Sequence, residues 1–397
     1  MPSITHRLFP ITPPPAPTPI TREPVAHRFW GGGMVALAMG FALGIYLWCL
    51  QWGIFSWTDY YPDLRLLHGR IQIILFAGSF ILGFGLQAGP HVIGGTPPAS
   101  RSTLQILFPL WFGFLLGTLP DPSLRMVGNA LVSLAFFGAA IALAGVVRGA
   151  DPQRALPVGI PLVIGVASLG IAPWLPLGQV DWALVALLTG PVSCILAVVQ
   201  HLVANILGGH RPSGPLAHLF TTVWFLAWLA AWGSALLWVP WSWSGLLWAL
   251  LAVWLVVAVR LLPVLLTRPL ESISVTLVAG LAALPLAGIL VFMGGYATLD
   301  AALHLVGIGM VVTMILGVTA RVVGFFSGGL VMHDRLLSIL LVAWMGVAAL
   351  RTAIPLGILQ GTFWVPIAAL LAAGLLIWWS MRVSSRLLAF SQRAKSR

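Results

Sequence analysis

Residues 68–95 read HGRIQIILFAGSFILGFGLQAGPHVIGG, and from Ile71 onward no residue in the run carries a formal charge. About 20 consecutive apolar residues suffice to cross a bilayer as a helix, so the stretch predicts a transmembrane helix with a histidine at its head. The whole chain has the same character. Of its 397 residues, 59% are hydrophobic and 7% charged, with a mean hydropathy of +1.01, against roughly 25% charged in a soluble domain. Twelve apolar segments are long enough to cross or nearly cross the membrane: approximately 31–56, 68–90, 103–119, 125–147, 156–177, 182–207, 216–238, 243–266, 273–293, 299–326, 335–358 and 362–388. The fifth is interrupted by Pro157, Pro161, Pro173 and Pro176, which a buried bundle helix tolerates where neighbours satisfy the freed carbonyls. The expected fold class is all-α integral membrane.

A net charge of +11 would suit a nucleic-acid binder, but its distribution excludes that reading. With the N-terminus placed in the cytoplasm, Arg65, Arg70, Arg125 and Arg351 fall outside, leaving sixteen of the 20 Lys and Arg inside. This is the positive-inside bias. It holds only for an even helix count, so both termini are expected in the cytoplasm. Residues 1–28 include ITPPPAPTPITREP, which resists helix formation and has little to bury. They are expected to form a disordered tail, without the cleavage site of a signal peptide. Residues 29–390 are expected to make one polytopic membrane domain, and 391–397 a basic cytoplasmic tail. Cys49 and Cys194 lie inside segments without CxxC spacing, which marks them as packing residues.

The ending of the opening stretch recurs. ILGFGLQAGPHVIGG (81–95), ILAVVQHLVANILGG (195–209) and ILGVTARVVGFFSGG (315–329) share Ile-Leu-Gly/Ala, ten further residues, then Gly-Gly. They close segments 2, 6 and 10 at offsets of 114 and 120 residues, and each is followed by a tryptophan (Trp111, Trp224, Trp344). Three gapless matches at equal helix spacing and in one direction predict an internal repeat. The expected architecture is three four-helix arcs, roughly 31–147, 156–266 and 273–388, parallel because each contains an even number of helices.

The repeat also measures depth. His68 lies 26 residues before Gly94 and His304 lies 24 before Gly328, about 39 and 36 Å of helix. The two are expected at one level near the outer surface. His201 lies 7 residues before Gly208, near the inner surface with His91, His210, His218 and His333, while His6 and His27 belong to the tail. Two imidazoles at matched depth on equivalent helices can clamp a haem from both faces. Arg70 is a candidate partner for haem propionates, and Gln72, one turn beyond His68, a candidate for orienting its second ring nitrogen. Interfacial histidines and a snorkelling arginine are the plainer alternative.

Gln87, His201 and Arg321 occupy one slot of the three repeats, with Asn205 a turn beyond His201. They form a candidate second polar site, either a structural hydrogen-bonded layer or a place for proton entry or a second metal. Glycines such as Gly83, Gly85, Gly307 and Gly309 allow close helix approach.

Twelve helices in three arcs, with outer histidines on helices 2 and 10, resemble the heme–copper oxidase architecture, whose helices 2 and 10 supply low-spin haem ligands. That superfamily's catalytic signature is absent. Segment 7 carries only His218, His201 is followed by Asn205, and no Glu lies within a segment, so neither an oxidase nor a nitric oxide reductase is expected. The chain is more similar to the NnrS family, haem- and copper-containing membrane proteins of the nitric oxide response. The quoted 68–95 stretch resembles that family's second helix, and ALHLVGIGMVVTMILGVTARVVGFFSGG (302–329) resembles its later His-x-x-Gly, Thr-Met-Ile-x-Gly, Arg segment. The chain departs from the family at Arg70 and Ile71, where members often carry a further His or Glu. The resemblance implies a bacterial inner-membrane haem protein, with copper as a second metal, acting on or beside nitric oxide or a redox partner. A cofactor-free transporter or channel is the rival reading, and an assembly factor for a respiratory complex a third.

Overall fold

The computed structural model describes residues 26–94, 101–175, 179–267, 271–327 and 329–395. Residues 1–25 of the proline-rich tail, Gly95, Gly328 and the last two residues lie outside the described residues. Among the described residues there are helices and no strands. Twelve principal helices follow one another: α1 Ala26–Gln51, α2 Tyr61–Gln87, α3 Arg101–Gly117, α4 Pro122–Arg148, α5 Ala155–Trp174, α6 Val180–Ile206, α7 Pro215–Ala235, α8 Trp241–Ala258, α9 Ser272–Met293, α10 Tyr296–Gly324, α11 Asp334–Ala353 and α12 Gly361–Lys395. Eleven are long and apolar enough to cross a membrane, and α3, with 17 residues, is shorter. At 1.5 Å per residue α3 spans about 26 Å, just under the ~30 Å hydrocarbon core. The chain is thus a multi-pass membrane protein. The proline-interrupted fifth segment is helical, with a π turn over Ala155–Gly159 and a 3-10 turn over Ala172–Trp174.

Burial separates the helices into an inner and an outer set. The inner set is α6, α2 and α10, whose spans are 94%, 78% and 72% buried, against 61% or less elsewhere. These are the three helices that carry the recurring Ile-Leu-Gly/Ala sequence. The outer helices turn Leu, Ile, Phe and Trp side chains outward, among them Phe108, Ile141, Leu250 and Leu370. In lipid such exposure is favourable, because acyl chains are as apolar as these residues. Helices α8 and α9 cross at glycines: a Cβ on Gly288 would stand 2.5 Å from the carbonyl oxygen of Gly245.

The inner helices are not regular. Each contains a π-helical segment, Ile71–Ala77 in α2, Leu188–Val192 in α6 and Leu305–Val312 in α10. Each segment ends three or four residues before the Ile of the recurring sequence (Ile81, Ile195, Ile315). In α6 the π turn encloses Pro191, whose missing N–H cannot close an α-helical bond. Two residues before each Ile stands a fully buried hydroxyl: Ser79, Ser193 and Thr313. Ser193 Oγ donates to Leu188 O at 3.1 Å and Thr313 Oγ1 to Ile308 O at 3.2 Å, five residues back in both helices. Buried indoles serve the same places. Trp224 Nε1 donates to Ser193 Oγ at 3.1 Å, and Trp344 Nε1 to Ile308 O at 3.1 Å. In α6 and α10 the widened turns thus have polar groups paired inside the protein, as an apolar solvent requires, whereas the buried Ser79 hydroxyl of α2 has no hydrogen-bond partner among the described residues. Gly94 and Gly208, first of their Gly-Gly pairs, have φ of +85° and +68°, left-handed conformations that end a helix and favour glycine.

Candidate functional site

A cavity opens between α1, α2, α6, α10, α11 and α12. It holds about 170 Å³ in its interior and, with its mouth, about 1360 Å³ of space free of atoms. Its walls are mostly apolar, from Phe41, Trp48, Phe76, Trp182, Leu187 and Val311, and its polar groups gather at one end. The π segments of α2 and α10 supply part of the wall, through Gln72, Ile73, Phe76 and Ala77 on one side and Gly307, Ile308, Val311 and Val312 on the other. Such segments recur at functional sites, because the inserted residue re-aims the side chains around it.

His68 and His304 both line this cavity. His68 sits at the α-to-π junction of α2 and His304 at that of α10. Each ring is tethered through the same nitrogen. His68 Nδ1 lies 2.8 Å from the carbonyl oxygen of Gly40, and His304 Nδ1 lies 2.8 Å from that of Asp300. A carbonyl only accepts, so both rings carry their proton on Nδ1 and leave Nε2 unprotonated. This is the tautomer that a backbone-oriented metal-ligating histidine adopts. The Nε2 of His304 accepts from Arg351 Nη2 at 3.2 Å.

Helix α1 makes room for His68. A Cβ on Gly44 would stand 2.6 Å from the Cε1 atom of the ring, and one on Gly40 would stand 2.8 Å from Nε2 of Gln72. Gly40-x-x-x-Gly44 is therefore a seat for the His68 and Gln72 side chains, at the four-residue spacing of small-residue helix contacts. Gln72 lines the cavity, but the group that orients His68 is the Gly40 carbonyl.

Arg70 is placed elsewhere. Its guanidinium donates to Asn129 Oδ1 at 2.6 Å and to Gly117 O at 3.2 Å, tying α2 to α3 and α4, and it is not part of the cavity wall. The arginines at the cavity are Arg65 and Arg351. Both bind the buried Asp300, Arg65 Nη2 at 2.7 Å from Oδ1 and Arg351 Nη2 at 3.0 Å from Oδ2. Arg65 also donates to the Tyr296 hydroxyl and lies over that ring, 5.3 Å from its centroid. Arg351 lies over the Trp48 ring at 5.4 Å. One carboxylate thus holds two guanidiniums, and its backbone carbonyl holds His304. A signal for this cluster stood in the sequence: Arg65 and Arg351 are two of the four arginines that run against the positive-inside bias.

The second polar site divides three ways. Gln87 Oε1 accepts from Ala26 N at 3.3 Å. His201 pairs with Asn205 at 2.7 Å and with Arg211 at 3.3 Å. Arg321 Nη2 meets Glu271 Oε2 at 2.8 Å. Asn205 is thus joined to His201, whereas Gln87 and Arg321 take partners on other elements.

Among the described residues no three His, Cys, Asp or Glu side chains gather as ligands for a bare metal ion. Two histidines suit a group that brings its own equatorial ligands. The family model described as NnrS protein matches residues 27–390. The chain belongs to the NnrS family. The match runs from the start of α1 into α12 and so takes in both histidines of the cavity and the Asp300 cluster. Among curated proteins no match to this NnrS chain is found.

Proposed function

We propose that this NnrS-family protein holds a haem in the cavity between α2 and α10, with His68 and His304 as axial ligands through Nε2, and that it serves the nitric oxide or nitrosative-stress response in a bacterial inner membrane. The observation that carries the reading is the matched pair of Nδ1-tethered histidines facing one apolar cavity. The residues present suit the group in three further respects. Apolar and aromatic walls would lie against a flat macrocycle. Arg65 and Arg351 stand at the polar end, where guanidiniums pair with propionate carboxylates. Gly307, with only the tip of Leu187 within 4 Å of where its Cβ would be, leaves the wall of α10 bare. Bound there, a haem supplies one-electron chemistry or a gas-binding iron, according to whether both axial positions stay filled.

The chain's own part is to hold and to exclude. Gly40 and Asp300 carbonyls fix the two rings, and the widened turns of α2 and α10 aim them. Trp48, Phe41 and Phe76 keep water from the centre of the cavity. Asp300 keeps both arginines at the mouth.

The three-arc repeat, with both termini in the cytoplasm, belongs to the same proposal. It is supported by the π segments in equivalent register, the equivalent hydroxyls, and the shared inner position of α2, α6 and α10. Copper as a second metal is part of what the resemblance implies, and the separation of Gln87, His201 and Arg321 gives it no gathered site there.

The test is an absorption spectrum of protein purified in detergent from cells supplied with haem, taken oxidised, reduced, and reduced with nitric oxide, with iron and copper measured on the same sample. A Soret band with sharp reduced-state bands and about one iron per chain is expected. A featureless spectrum from such a sample would remove the haem reading and bring the transporter reading forward.

A further inference from the structure

A second cavity lies beneath the first. Its lining continues down the same two inner helices, Phe76 and Ala77 of the upper cavity giving way to Phe80, Ile81 and Phe84, and Val311 and Val312 to Met314, Ile315 and Val318. The third side is α6, through Cys194, Ile195 and Val198. The three isoleucines that open the recurring sequence, Ile81, Ile195 and Ile315, therefore meet around one space, and so do the residues three positions on, Phe84, Val198 and Val318. The space holds about 70 Å³ in its interior and, with its opening, about 590 Å³ free of atoms. Its polar side-chain groups are few: the Thr319 hydroxyl, the Trp30 indole N–H, which donates to the Phe80 carbonyl at 3.4 Å, and the Cys194 thiol, which lies 3.7 Å from the Leu162 carbonyl.

We propose that this lower cavity is a binding site for one small uncharged apolar molecule, of the size of xenon or a diatomic gas. Size and polarity lead to that class together. Empty apolar cavities stay dry, because a water there would lack the two to four partners it needs, and a cavity of about 150 Å³ takes benzene. Half that volume accepts a guest of a few atoms and refuses a ring. No charged side chain lines it, so an ion would have no counter-charge and would incur the desolvation cost of leaving water. Close packing elsewhere makes the space more than slack. Interiors are filled to crystal-like density, and here three equivalent turns converge and still leave a void. The site uses none of the groups that would hold a haem, and so it stands apart from the proposed cofactor.

The probe is xenon. A crystal of the full chain pressurised with xenon is expected to show one anomalous peak between Ile81, Ile195 and Ile315. Val198→Phe, which fills the space, should cut the occupancy of that peak by about tenfold or more, and Ile195→Ala, which enlarges it, should raise the occupancy at a xenon pressure that only part-fills the wild-type site. The second variant keeps the test decisive if the larger side chain prevents folding. No xenon peak at pressures that load other sites in the crystal would overturn the proposal. So would a peak whose occupancy ignores both substitutions, or continuous density of a lipid chain in the cavity.

Discussion

Asp300 carries more of the site than either histidine, although it cannot ligate through a ring. Its carboxylate bridges Arg65 and Arg351, and its backbone carbonyl fixes His304. Breaking a buried ion pair from one side costs about 3–5 kcal/mol, because the surviving charge loses its partner. Asp300→Asn should therefore lower the thermal unfolding midpoint of the detergent-solubilised protein, with a cost of about 3 kcal/mol given that Arg65 keeps Tyr296. Adding Arg351→Met should recover part of that loss, whereas fully additive losses would contradict the network. A different residue controls His68. Gly44→Ala would drive a Cβ against the ring, an overpacking that costs roughly 1–3 kcal/mol, and haem retained per chain should fall while the helical circular dichroism persists. The histidines were legible in the sequence because the Gly-Gly ruler put them at one depth. Arg70 was misleading for a local reason: two residues beyond His68 is about 200° around an α-helix, so its side chain leaves from the other face and reaches Asn129. Arg65 and Asp300 lie three and four residues before the histidines, on the histidine face.

At the scale of elements, helix existence was readable and helix character was not. All twelve apolar segments are helical, including the fifth with its prolines, because hydropathy is all a membrane helix must declare. The π segments escaped the sequence reading, since only α6 advertises its own with Pro191. The signal available for α10 was a Thr two residues before the recurring Ile, which, like Ser193 in α6, bonds a carbonyl five residues back; Ser79 of α2 makes no such bond. The outer helices rely on glycine contacts instead. Gly288→Ala would push a Cβ into the Gly245 carbonyl and should destabilise the α8–α9 pair by roughly 1–3 kcal/mol. An unchanged unfolding midpoint would show that this crossing gives way without cost.

For the molecule as a whole, the charge bias and the even helix count predict a definite orientation. In intact cells, a membrane-impermeant thiol reagent should label Asp59→Cys, in the loop between α1 and α2, and should reach His210→Cys, between α6 and α7, only after lysis. The opposite pattern would invert the topology and place the histidine cavity at the cytoplasmic face. The three most buried helices, α2, α6 and α10, set among nine more exposed ones, also explain why the cavity is where it is. Widened turns from α2 and α10 cannot close against α6 as tightly as regular helices would, and the space they leave is lined by the two imidazoles. The most direct test of that arrangement is the haem content per folded chain in the wild type, His68→Ala and His304→Ala, each eluting as the same monodisperse species. The expected result is about one haem per chain in the wild type and near-complete loss in each variant, since neither ring alone would hold the group from both faces. Full haem content in either variant would contradict ligation by that histidine and, with it, the placement of the cofactor between α2 and α10.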